Sequence, residues 1–78
     1  MSESILEQIR SSVEEAIPGA VVQATGGGGH YTLEVTSEAF AGKNRVQQQR
    51  LVLSAIAHLM KGDAAPVHAV DSLKTHTP

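Results

Sequence analysis

His30 and His68 are the side chains whose type and position best suit them to chemistry in this sequence. His30 follows the run Gly26-Gly27-Gly28-Gly29 and opens an alternating segment. His68 follows Pro66-Val67 and stands near the start of another segment. A neutral imidazole nitrogen binds metals and moves protons. No local motif joins the two, but topology can. If their segments are neighbouring parallel strands, both begin at one edge of the sheet, about 4.8 Å apart. Both rings could then face one external ligand. The glycines beside His30 would let a partner backbone or a cofactor come close. Two imidazoles alone leave a site incomplete, since zinc takes four ligands. Pattern alone also leaves the plainer alternative, that both are ordinary surface histidines beside loops.

The remaining candidates carry less. His58 sits late in a helical segment, between Ala57 and Leu59, where a helix-face or helix-end role is the simpler reading. His76 falls in a C-terminal tail. Lys43, Arg45 and Arg50 gather near the start of that same helix, where cations and a helix N-terminus could hold phosphate. A solvated helix face is the simpler reading of them. The glycine run joins two strands and is followed by no Lys-Ser/Thr, so it is not a phosphate loop. The serines stand in no nucleophile elbow, and Asp63 and Asp71 have no patterned second carboxylate. A non-enzymatic protein is expected.

Composition narrows the field further. The chain has 78 residues and no Cys, which excludes disulfides, zinc–thiolate sites and a self-sufficient Cys-ligated cluster. A net charge of −2 and 3% aromatic residues argue against a basic nucleic-acid protein or a base-stacking sheet. No apolar run reaches the roughly 18 residues of a bilayer span. Met1-Ser-Glu-Ser4 is too polar and acidic for a signal peptide, so a cytoplasmic domain is expected. One domain of this size is expected to be stable by about 4–12 kcal/mol, at 0.05–0.15 per residue.

The elements that must position the histidines can be read from periodicity. Ser4 with Glu7 forms a capping-box pattern, and Ile5, Leu6, Ile9, Val13, Ala16 and Ile17 make one helical face up to Pro18-Gly19. Ala20–Thr25 reads as a strand, Gly26–Gly29 as its turn, and His30–Thr36 as a strand of period two. Ala39-Phe40 is expected to tuck into the core. A long helix is expected over Lys43–Lys61, with Val46, Val52, Leu53, Ile56, Leu59 and Met60 buried and Gly62 at its end. Asp63–Pro66 reads as a linker and Val67 to about Thr75 as a third strand. The crossover helix makes strands two and three parallel. The expected fold is α+β, a three-stranded mixed sheet with both helices on one face.

These residues, in this order, resemble the BolA family. The resemblance runs from about Ile9 to Pro78. It is carried by Ile17-Pro18-Gly19-Ala20, Gly28-Gly29-His30-Tyr31, Val35 to Lys43, Arg50-Leu51-Val52, Val67-His68-Ala69 and Leu73 to Pro78. It implies a KH-like fold of class II type, helix–strand–strand–helix–strand. It implies pairing with a monothiol glutaredoxin around a bridging [2Fe-2S] cluster, in cluster assembly, trafficking or iron homeostasis. Glutaredoxin and glutathione would supply thiolates. His68 matches the family's C-terminal-region ligand, and His30 the second ligand near the first hairpin. Nitrogen ligands on one iron raise the potential relative to all-Cys clusters. A neutral imidazole is required, so binding should weaken as pH falls through the ordinary imidazole range, about 6.5.

The sequence departs from the family in three places. Gln48-Gln49 stand where Arg-His is common, which suits the IbaG-like branch and weakens a DNA-contact reading. The stretch from His68 to Lys74 is one residue longer than usual, which a bulge in strand three would absorb. Family chains usually run on into a short helix, whereas this sequence ends at Pro78. The competing functional reading is a nucleic-acid-binding transcription regulator using Lys43, Arg45, Arg50 and Lys74. Such binding would fall steeply with salt. A cofactor-free adaptor or homodimer is the third.

Overall fold

The computed structural model describes residues 4–62 and 64–78. The expectations for Met1–Glu3, and for Asp63 in the linker, fall outside the described residues. The chain runs α1 (Ile5–Ala16), β1 (Val21–Gly27), β2 (His30–Thr36), a 3-10 turn (Glu38–Phe40), α2 (Arg45–Ala55), a second 3-10 turn (Ala57–Leu59) and β3 (Ala69–His76). Sheet order is β1-β2-β3. β1 and β2 are antiparallel, and β2 and β3 are parallel. The α+β fold and the element order are as expected.

One core holds the layers together. Tyr31, Leu33 and Val35 alternate inward along β2 and meet Ile9 and Val13 of α1, Val52 of α2, and Ile56, Phe40 and Val67. The intervening His30, Thr32 and Glu34 lie on the opposite face of the sheet, away from the helices. Phe40 is fully buried, as its place at the corner before α2 suggests. Ser37 is buried beside it but satisfied: its Oγ donates to Pro18 O at 2.9 Å and accepts from Ala39 N at 3.1 Å.

Several boundaries differ from the sequence expectation, each for a physical reason. The hairpin is tighter than a four-glycine tip. Gly26 and Gly27 pair in the ladder with Tyr31 and His30, and only Gly28 and Gly29 turn the chain. Their φ angles are 64° and 87°, the positive pair that a twisted two-residue hairpin uses. Ser4 caps α1 by accepting from Glu7 N, but the Glu7 carboxylate pairs with Arg10. The full capping box belongs to α2, where Asn44 and Gln47 exchange side-chain and backbone bonds at 2.9 and 3.0 Å. That cap starts the helix at Arg45, after Lys43.

The end of α2 is a further correction. It does not continue to Lys61: the ladder tightens, with Ile56 N donating to Leu53 O, and a 3-10 turn finishes the segment. Val52, Ile56 and Leu59 are buried as expected, but Val46 and Leu53 are exposed, contrary to the expected stripe. β3 starts at Ala69 because Val67 N is taken by Leu59 O, at 3.1 Å. Its far end includes His76, whose carbonyl accepts from Ser37 N. His76 is therefore a strand residue, and its Nε2 lies 3.0 Å from Glu34 Oε2.

Gln48 and Gln49 turn toward the protein. Gln48 Nε2 donates to Phe40 O at 3.2 Å and Lys43 O at 2.8 Å, while its Oε1 accepts from Thr75 Oγ1 at 2.7 Å. Gln49 Nε2 reaches Leu73 O at 3.4 Å. One side chain thus ties α2 to the corner and to β3. Gln48→Ala is expected to lower stability by about 1–3 kcal/mol, since partly buried partners lose their bonds. Urea unfolding should show a lower midpoint with unchanged slope.

Candidate functional site at the start of the parallel strands

The register brings the two histidines to one edge. His30 is the first residue of β2 and pairs with Ala69, the first residue of β3. His68 immediately precedes Ala69. His30 is thus held in the ladder just after the turn, not on a loose loop tip. The parallel pairing that sequence periodicity implied is what makes the two neighbours.

Gly29 is the hinge between them. Its carbonyl accepts from His68 N at 2.8 Å and from Ala69 N at 2.9 Å, which fixes the His68 backbone against the hairpin. Gly29 is buried, and the His68 ring packs where a side chain would otherwise stand. A Cβ on Gly29 would overlap His68 Cδ2 and lie 3.0 Å from Cγ. The missing side chain is a cradle for the ring. Among the described residues, no side chain hydrogen-bonds the His68 imidazole, and the residue is exposed.

His30 has a partner. Its Nδ1 lies 3.2 Å from Asp71 Oδ1. Asp71 reaches it because β3 bulges: Tyr31 pairs with Val70, and Thr32 with Ser72, leaving Asp71 as the extra residue. The bulge expected from the longer stretch is present, and it puts a carboxylate beside His30. Both side chains are more than half exposed, so this pair orients more than it stabilises.

The other sequence candidates do not converge. Lys43 and Arg50 line one shallow groove with Gln47, Leu51 and Ser54. Arg45 and Lys74 line another, with Leu73, Thr75 and His76. The phosphate-holding cluster read from the sequence is thus split between two grooves. His58 lies apart, with its Nε2 3.3 Å from Ser12 Oγ of α1. Among the described residues, no group of three or more His, Cys, Asp or Glu is arranged to hold a metal ion. His30 and His68 place two imidazoles at an open edge, a donor set that fits half of a shared site. Sequence reasoning missed Asp71 as part of this edge, and it read the glycines beside His30 as room for a partner, whereas the space at Gly29 is filled by the His68 ring. The extra residue before Lys74 was the available signal for Asp71.

The BolA-like protein profile matches residues 2–78. The chain belongs to the BolA-like family. Solved structures agree. A bolA protein homologue from Coxiella burnetii is 31% identical with a TM-score of 0.79, over 97% of this chain and 94% of that one. The XC975 protein is 33% identical with a TM-score of 0.68, covering 100% and 94%. The BolA domain of SufE1 from Arabidopsis thaliana is 26% identical with a TM-score of 0.75, covering 100% and 96%. A comparison with curated proteins finds no match. No helix among the described residues of this BolA-like chain is long and apolar enough to cross a membrane.

Proposed function

We propose that this BolA-like chain is a non-enzymatic partner of a monothiol glutaredoxin in the cytoplasm. The pair holds a bridging [2Fe-2S] cluster for iron–sulfur assembly, trafficking or iron homeostasis. His30 and His68 are its ligands from this side, and glutaredoxin with glutathione supplies the thiolates. The observation that carries the reading is the Gly29 cradle. A buried, side-chain-free position holds one imidazole beside the strand that begins with the other. When bound, the cluster supplies iron, sulfide and one-electron chemistry. The chain supplies nitrogen donors, their orientation and an edge open to a second protein.

The test is a titration of cluster-loaded glutaredoxin and glutathione with this chain, followed by visible circular dichroism. New bands that saturate at one chain per glutaredoxin are expected. His30→Ala should weaken that signature while leaving the far-ultraviolet spectrum unchanged. If the glutaredoxin spectrum does not respond to the wild-type chain, the reading falls. Size-exclusion of the same mixtures separates this outcome from a cofactor-free adaptor or a homodimer.

A further inference from the structure

We propose that Asp71 is a positioning residue that fixes the tautomer and orientation of His30, holding the proton on Nδ1 and presenting Nε2 outward as the donor atom. The proposal rests on the shared-cluster reading and adds a residue to it. Three observations meet at this point. Asp71 is the one residue of β3 without a pairing position, because the register slips between Tyr31 and Thr32. Its carboxylate oxygen lies 3.2 Å from Nδ1 of His30. The His30 side chain is 62% exposed, which leaves the ring open to solvent on the side not held by Asp71.

The chemistry follows from the two-nitrogen ring. A carboxylate only accepts, so the ring must donate from Nδ1, which leaves the lone pair on Nε2. An unconstrained histidine side chain favours the opposite form, with the proton on Nε2. The carboxylate therefore inverts the ordinary preference. A ligating imidazole whose far N–H meets a carboxylate is both aimed and made a stronger donor. The bulge is what brings that carboxylate within reach of the ring. His76 offers an internal contrast on the same sheet: it meets Glu34 through Nε2, so the same argument puts its proton there.

Long-range proton–nitrogen NMR of the imidazole rings in the free protein tests this directly, under conditions where the rings are neutral. His30 is expected mainly as the Nδ1–H form and His76 as the Nε2–H form. Asp71→Ala should return His30 to the Nε2–H form. Asp71→Asn, which keeps an acceptor oxygen without the charge, should fall between. His30 found as Nε2–H in the wild type, or unchanged in Asp71→Ala, would overturn the proposal. In the cluster-bearing pair, Asp71→Ala should release the cluster about 10–100-fold faster, the usual penalty for losing an outer partner of a ligand. Asp71→Asn should raise the reduction potential, because a negative charge beside the ligand is removed. A cluster whose lifetime and potential ignore both substitutions also overturns it. If the wild-type chain forms no shared cluster, the functional reading falls, and the ring NMR alone decides what Asp71 does to His30.

Discussion

His68→Ala is expected to abolish the shared cluster while leaving the fold intact. The side chain is exposed, and among the described residues no other side chain hydrogen-bonds its ring. Its removal opens no core cavity and strands no buried polar group. Surface changes of that kind usually stay within about 0.5 kcal/mol. The backbone anchor survives, because His68 N and Ala69 N both reach Gly29 O whatever the side chain. The functional loss should be far larger. Losing an outer-shell partner already costs about 10–100-fold in metal affinity, and losing a ligand should exceed that. The measurement is cluster occupancy and lifetime in the glutaredoxin pair, beside thermal unfolding of the free chain. A variant with the wild-type spectrum and lifetime would show that His68 is not a ligand. A variant that unfolds early would show that the ring is structural.

Gly29→Ala is expected to reach the same functional end by another route. Gly29 has φ of 87°, where an L side chain costs about 1–2 kcal/mol. Its new Cβ would also take the place of the His68 ring. The ring can swing toward solvent, so the chain should still fold, with a lowered urea midpoint. What cannot survive is the ring's position. Cluster lifetime in the pair should therefore drop about as far as in His68→Ala, although both histidines remain. Gly27→Ala is the control, since its φ is not in the left-handed region and a Cβ there meets nothing within 4 Å. Equal behaviour of the two alanine variants would sink the cradle argument. The pair also separates ligand identity from ligand placement, which His68→Ala alone cannot do.

A different balance governs Gln48. Its three bonds hold α2 to the corner and to β3, on a helix whose Val46, Leu51 and Leu53 face solvent. The two glutamines that stand where Arg-His is common in the family are therefore part of the packing. Helical periodicity gave no hint of this, because the direction of a helix face depends on where the helix lands. The α2 cap is the opposite case, a local signal written in the spacing. Asn44 and Gln47 have the spacing of a capping box, and that local signal would have moved the helix start from Lys43 to Arg45.

By itself the sequence determined the element order, the period-two strand from His30 to Thr36, the parallel crossover and the family. These are local or periodic properties, written in residue spacing. Even the bulge was legible, as one residue too many between His68 and Lys74. Only the tertiary structure decided where the extra residue points. A bulge disrupts the alternation of side chains, so spacing no longer says which face a residue takes. Packing and register put Asp71 on His30, Gly29 under His68, and the four basic residues in two separate grooves. The reason is the same in each case: these are contacts between segments far apart in the chain, and their geometry is set by the core that joins them.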